Sequence, residues 1–253
     1  MAMIEFERVS AAYRARDVLR DIDLRIDAGE RVAIIGPNGA GKSSLLRTMT
    51  RTLRPRAGVV RLGGDPLARL DRQAIARRLS VVPQAALLPF AARVEEVVGL
   101  GRLPHEDPFR GQRPADRLAI AAAIDRVGIG ALVGRDVREL SLGERQLVLI
   151  AMALAQAAPI MALDEPTVHL DLRRQVETLE LIVDLNERDG TTIVAVLHDL
   201  GMAGHFFPRL ILIDRGTVVA DGRPDDVLSD ELVRLVYGVD PVFVRRSVPE
   251  SIG

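Results

Sequence analysis

Eight residues of this chain, Gly36-Pro37-Asn38-Gly39-Ala40-Gly41-Lys42-Ser43, fit the pattern GxxxxGK[ST] and follow a run of apolar residues. Glycines let backbone N–H groups turn inward onto phosphate oxygens, and a helix N-terminus behind them adds partial positive charge. In such a loop Lys42 would reach the β- and γ-phosphates and the Ser43 hydroxyl would ligate Mg2+. A second segment, Ile160-Met161-Ala162-Leu163-Asp164-Glu165, places two acids after four apolar residues. That pattern describes a buried strand ending at the carboxyl edge of a sheet, where α/β folds bind ligands. Asp164 would hold the metal ion, and Glu165 would polarise an attacking water as general base. Each segment alone has a plain reading, a Gly-rich turn or an acidic turn. Together they imply nucleoside triphosphate hydrolysis.

Composition points to the same loop. Of 34 Lys+Arg in 253 residues, only Lys42 is a lysine, where an average composition would supply on the order of a dozen. Arginine-favouring codons account for the replacement elsewhere, but not for the exception. With 35 Asp+Glu the net charge is −1, so there is no global basic field and no nucleic-acid partner is expected. The absence of cysteine excludes disulfides, thiol nucleophiles and Cys-ligated metal centres. Apolar residues at 48% and charged residues at 27% suit a packed globular core. Glu5 and Glu7 come early and no apolar run of signal-peptide length follows, so a cytoplasmic location is expected. The uncharged stretch 147–163 is interrupted by Gln156 and Pro159. It also falls short of the ~20 residues a membrane span needs, and reads instead as a helix end followed by a buried strand.

These residues need elements to place them. Hydrophobic patterning predicts strands over 4–9, 23–26 and 31–35, with Asp27-Ala28-Gly29 as a turn and a helix running from the Gly-rich loop to about Leu53. Strands are expected over 59–62 and 79–82, and a helix over 71–78. Helical, Ala-rich segments then follow at 94–100, 115–127 and 144–156. Strands return over 160–163, 191–197, 209–213 and 217–220, and Leu172, Val176, Leu179 and Val183 recur at helical spacing between the first two. Continuous Val/Ile/Leu runs separated by helices indicate a mostly parallel sheet covered on both faces. The fold class is therefore α/β, a single domain with its core over 1–91 and 157–253, an N-terminal antiparallel β region and an inserted helical block over 92–156.

Leu140-Ser141-Leu142-Gly143-Glu144-Arg145-Gln146 closely resembles the LSGGERQ signature of ABC-type ATPases, and precedes the acidic strand by that family's usual short interval. Further family elements occur in order: Tyr13 as the adenine-stacking aromatic, Gln84 in Val82-Pro83-Gln84, a D-loop at Val168-His169-Leu170-Asp171, and His198 after the strand over 191–197. The resemblance covers essentially the whole chain and implies a RecA-like P-loop NTPase core with ATP and Mg2+ as cofactors. It assigns ATP binding to Tyr13, to the loop from Gly36 to Ser43 and to Ser44. It gives Mg2+ to Ser43, Gln84 and Asp164, and catalysis to Glu165, His198, Lys42 and Gln84.

Plain structural roles stand beside these. Ser141 reads equally as the N-cap of a helix with Glu144 completing a capping box, and Asp171 as the cap of the helix beginning at Leu172. Tyr13 reads also as a turn tyrosine, Gln84 as a residue after a proline turn and His198 as a satisfied strand-end histidine. His105, His169 and His205 have no spacing that would gather them around a metal. The departure from the family is Leu142, where glycine is usual. If the backbone there needed positive φ, leucine would be strained.

By the same resemblance two chains would sandwich two ATP molecules head to tail. Ser141, Leu142, Gly143, Glu144 and Gln146 of one chain would close on the other's nucleotide, and His169, Leu170 and Asp171 would couple the two sites. With no membrane span in the sequence, a separate polytopic permease would carry the transport path, fed by a solute-binding protein, and the ATPase would sit peripherally on the cytoplasmic face of the inner membrane. The uncharged run 85–92 suggests a docking surface for that partner. The sequences His169-Leu170-Asp171-Leu172, Gly101-Arg102-Leu103-Pro104 and His198-Asp199-Leu200 look like importers of iron chelates, haem and cobalamin. The competing class is a soluble ABC ATPase that drives complex assembly, such as iron–sulfur cluster biogenesis, without transport.

Overall fold

The computed structural model describes residues 2–84, 91–106, 111–168 and 170–242. In chain order the strands and α-helices are β1 (Ala2–Tyr13), β2 (Arg16–Asp27), β3 (Arg31–Ile35), α1 (Lys42–Met49), β4 (Pro55–Leu62), β5 (Asp65–Pro66), α2 (Arg72–Ala76), β6 (Leu79–Val82), α3 (Val94–Gly99) and α4 (Pro114–Val127). There follow α5 (Leu142–Ala155), β7 (Ile160–Asp164), α6 (Leu172–Asp189), β8 (Thr192–Val196), α7 (Leu200–Phe206), β9 (Arg209–Asp214), β10 (Thr217–Gly222), α8 (Pro224–Val227) and α9 (Asp230–Tyr237). The chain forms two units, residues 1–70 with 183–253, and residues 71–182.

The first unit holds an antiparallel sheet ordered β2-β1-β4-β5 and a run of strands ordered β10-β9-β3-β8. β3 is parallel to both β8 and β9, pairing Arg31 with Ile193 and Ile35 with Leu212, while β10 returns antiparallel on β9. All five residues of β8, and Val32 to Ile35 of β3, are buried. Strands covered on both faces therefore read as unbroken Val/Ile runs, as parallel sheets require. In the second unit β6 and β7 are likewise parallel, Leu79 opposite Ile160 and Val82 opposite Leu163.

The N-terminal strands are longer than patterning predicts, and bulges explain why. The register of β1 on β2 shifts between Phe6 and Val9, and Arg8 and Asp21 take φ of 45° and 47°. An extra residue flips the sides that follow, so period-2 alternation breaks while the ladder continues. Gly58 of β4 has φ 79°, and a Cβ there would lie 2.2 Å from the Arg8 carbonyl oxygen, so the partner strand answers the bulge with the one residue that fits.

Among the described residues, 92–156 hold helices and 3-10 turns, with one isolated bridge between Arg93 and Asp136. Gly101, in the turn after α3, lies so close to α5 that a Cβ would meet the Met152 carbonyl oxygen at 2.1 Å. The next residue, Arg102, is buried, donating from Nε to Asp116 of α4 at 3.0 Å and from Nη1 to the Ala155 carbonyl of α5 at 2.7 Å. The Arg113 backbone N–H and this guanidinium hold the Asp116 carboxyl below the usual carboxylate range. Gly101 and Arg102 thus clamp three helical segments together.

Candidate functional site

In the first unit the chain leaves buried β3 directly into the Gly-rich loop. Gly36 has φ 146° and Gly41 φ 114°, and a Cβ would sit 2.0 Å from the Ile213 carbonyl oxygen at the first and 2.7 Å from that of Val18 at the second. Both positions combine left-handed backbone with a near neighbour, so only glycine fits. The loop is tied to the β9–β10 turn by Gly216 N–H donating to the Ala40 carbonyl at 2.8 Å. α1 then starts at Lys42 with no side-chain cap on its first turn, leaving backbone donors at a positive helix end, the arrangement that receives an anion.

Lys42 is only 5% exposed, and its ammonium donates to the carbonyls of Gly36 at 2.7 Å and Pro37 at 3.0 Å. The cation is thus folded back into its own loop. Ser43 and Ser44 follow in the first turn of α1, half-buried. Tyr13 ends β1 at 40% exposure, and its phenol oxygen accepts a hydrogen bond from Arg47 of α1 at 3.0 Å. His198 comes two residues after β8, exposed, with Asp199 capping α7 through the Met202 N–H. Because β3 and β8 run parallel, the phosphate loop and His198 leave the same edge of this unit's sheet.

The second unit brings together another set. Gln84 follows β6 and Glu165 follows β7, again at one edge of parallel strands, and the Gln84 amide donates to Glu165 Oε2. Glu165 is 9% exposed and takes φ 54°. A left-handed backbone is costly for a residue with a Cβ. Directly after it the Val168 N–H donates to the Glu165 carbonyl at 3.2 Å, closing a tight turn. Asp164 lies half-buried at the end of β7.

Ser141 caps α5 as the capping-box pattern predicts. Its hydroxyl accepts from the Glu144 N–H at 3.3 Å, and Glu144 Oε2 accepts from the Ser141 N–H and hydroxyl, each at 2.8 Å. Those donors, with Arg135 beyond them, hold the Glu144 carboxyl below its ordinary range. Leu142 is the first helical residue, 60% exposed, and has no positive φ. The condition for strain, a positive φ, is not met: the N1 position is helical, and leucine adopts it freely. Gly143 and Glu144 are half-buried, whereas Gln146 is buried on α5, with its amide nitrogen unpartnered among the described residues.

Asp171 caps α6 through the Arg174 N–H at 3.0 Å. One supporting residue was not read from sequence: Gln175 of α6 reaches back to the carbonyls of Leu170 at 3.1 Å and Thr167 at 3.4 Å, holding the D-loop chain. Arg47, behind Tyr13, was missed in the same way, because no local pattern marks a long side chain that reaches another element. His169 and the 85–90 part of the expected docking surface lie outside the described residues. His105 instead bonds the Gln156 carbonyl at 2.8 Å, and His205 packs edge-on to Phe206; among the described residues no cluster of His, Cys, Asp and Glu forms a metal site.

The model of the ABC transporter family matches residues 19–168. The iron(3+)-hydroxamate import ATP-binding protein of Bacillus subtilis (strain 168) is 36% identical over 96% of this chain and 91% of its own length. The ferric enterobactin transport ATP-binding protein of Escherichia coli (strain K12) is 39% identical over 94% of this chain and 88% of its own. Among solved structures, a putative metal-chelate type ABC transporter in an inward-facing conformation superposes with TM-score 0.84 at 26% identity, covering 95% of this chain and 90% of that one. An ATP-binding cassette in a dimeric post-hydrolysis state bound to ADP and Pi superposes with TM-score 0.77 at 29% identity, covering 88% of this chain and 99% of that one.

Proposed function

This chain belongs to the ABC transporter family, and from that premise we propose that it energises an importer of an iron-siderophore, haem or cobalamin by binding and hydrolysing ATP. The observation that carries the importer reading is that relatives aligned over nearly the whole chain are import ATP-binding proteins for iron(3+)-hydroxamate and hemin and a transport ATP-binding protein for ferric enterobactin. Nothing among them favours the assembly-ATPase alternative. Among the described residues no helix is long and apolar enough to cross a membrane, so the path for cargo is assigned to separate permease subunits with a solute-binding protein outside.

In this reading the amides from Gly36 to Ser43 and the Lys42 ammonium bind phosphates, and Tyr13, steadied by Arg47, stacks on the adenine. The family resemblance gives Mg2+ to Ser43, Gln84 and Asp164, and each of these side chains carries oxygen, the ligand type that hard Mg2+ takes. The ion neutralises phosphate charge when bound. Glu165 takes the proton of the attacking water, held in aim by the Gln84 amide. His198 holds the transition-state geometry. The capped N-terminus of α5, with Ser141 and Gly143, closes on the γ-phosphate of a second copy. Gln146, being buried, supports that helix from within. ATP binds the closed dimer better than the open one, and hydrolysis removes that preference.

The test is Glu165→Gln. It should keep ATP binding, abolish turnover and trap a dimer visible by size-exclusion chromatography. Steady-state hydrolysis that survived the change would overturn the base assignment.

A further inference from the structure

In the first unit, where the chain leaves α1 and enters β4, it forms a cavity of about 640 Å³, within the ~300–1,000 Å³ of small-molecule sites. Four arginines line it, Arg51, Arg54, Arg61 and Arg69, and no acidic residue does. Val59, which is exposed, and Leu67, which is buried, add apolar surface to its walls. No residue of the phosphate loop takes part. The eight residues of α1 carry the chain about 12 Å away from Lys42 before Arg51 is reached.

The four cations differ in what already holds them. Arg61 is paired, donating from Nε to Glu7 Oε1 at 2.8 Å. Arg51 stands at φ 58°, and its Nη1 donates to the carbonyls of Leu67, at 3.4 Å, and Leu70. Those partners are neutral, so they fix the guanidinium in the wall without cancelling its charge. Arg54 and Arg69 are exposed, and among the described residues their side chains have neither a hydrogen bond nor an ion pair. Three of the four guanidinium groups are thus without a contacting carboxylate. A cleft lined by one sign of charge focuses its field and gathers counter-ions. Guanidinium forks match the paired oxygens of a phosphate, and uncompensated charge at more than one of them favours a dianion. The apolar wall suits a ligand whose charge is joined to a carbon body.

We propose that this cavity is a second anion site, separate from the phosphate loop, which takes a phosphate monoester through Arg54 and Arg69 against the fixed guanidinium of Arg51. A soluble phosphate ester and the headgroup of a membrane lipid both present this chemistry.

Three full-length chains test it: the wild type, Arg54→Gln/Arg69→Gln, and Arg223→Gln/Arg234→Gln, which removes two exposed arginines outside the cavity. Any binding at the phosphate loop is common to all three, so differences between them read the cavity. Glycerol 3-phosphate is titrated by calorimetry, and cosedimentation is measured with phosphatidylcholine vesicles with and without phosphatidic acid. The Arg54→Gln/Arg69→Gln chain should bind the ester at least about tenfold more weakly, the weight of one charge-assisted hydrogen bond. Neither side chain holds the fold, so it should unfold as the wild type does. Arg223→Gln/Arg234→Gln should bind as the wild type does. A loss seen with glycerol 3-phosphate identifies a soluble ligand and a loss seen only with vesicles a lipid headgroup; either supports the site. A wild type that binds neither probe, equal binding by all three chains, or an equal loss in the two variants overturns it.

Discussion

Glu165 is a non-glycine residue at φ 54°, almost buried, at the point proposed to activate water. The conformation has a measurable signature that is independent of catalysis. Glu165→Ala and Glu165→Gly both delete the carboxylate and the hydrogen bond from Gln84, so those losses cancel between them. What remains is the backbone. A left-handed residue with a Cβ is disfavoured by roughly 1–2 kcal/mol. Glycine escapes that but loses more chain entropy on folding, roughly 0.5–1 kcal/mol. The glycine variant should therefore be the more stable by about 0.5–1 kcal/mol, reversing the usual order of alanine over glycine in regular structure. For a chain of this size that is about 1–4 °C in Tm.

The assay is thermal unfolding of both variants without nucleotide, followed by circular dichroism, with ATPase measured alongside. Both should be inactive if Glu165 is the base, and leaving nucleotide out of the unfolding measurement keeps differential binding out of the comparison. An alanine variant equal to or more stable than the glycine variant would refute the claim that this turn is strained. In that case the hydrogen bond from Gln84 would have to be explained without a backbone that is forced to deliver it.

Two further outcomes follow from the start of α5. The Glu144 carboxyl is held low by the Ser141 N–H, the Ser141 hydroxyl and Arg135, so its stabilisation is complete above the unfolded carboxylate range near pH 4.5 and is lost as pH falls through the lower folded value. Glu144→Gln should flatten the acid limb of a Tm-against-pH profile, and an unchanged limb would contradict the capping-box role. Ser141→Ala should cost about 1 kcal/mol at neutral pH by urea unfolding. Leu142→Gly should lower stability by up to about 1 kcal/mol, because the position is helical; unchanged unfolding would contradict its place in the first turn of α5.

Much of this was legible because the informative residues are local. A Gly-rich turn between a buried strand and a helix, an acidic strand end, and a Ser-x-x-Glu cap each state their conformation within a few residues. β3 and β6 match the patterned bounds, β3 because its run from Val32 to Ile35 is apolar and wholly buried, β6 because three of its four residues are buried. β1 and β2 were under-read at the bulges, where alternation changes phase. α7 and α9 were not read at all: α7 spans seven residues including two glycines, and α9 spans eight, too short for periodicity to register. What sequence cannot carry is the long reach. The residues that brace the site, Arg47 under Tyr13 and Gln175 on the D-loop, act across 34 positions in the first case and five to eight in the second. Nothing in their neighbours marks them.

The solitary lysine ties composition to mechanism. Arginine serves at the other cationic positions, among them pairs such as Arg209 with Glu30 and Asp221, where a planar fork is an advantage. Lys42 does what a fork cannot do as well: it converges on two carbonyls of one tight loop at 2.7 and 3.0 Å while 5% exposed. A compact ammonium rotates its three protons to either partner, or to phosphate, without moving its stem. A guanidinium would need a wider space and would fix its donors in one plane. Lys42→Arg should therefore keep the positive charge and the fold yet lose hydrolysis on the order of a hundredfold, the penalty of about 1 Å misplacement at a reacting centre. Near-normal ATP turnover in that variant would mean that charge alone suffices and that the single lysine is an accident of codon usage.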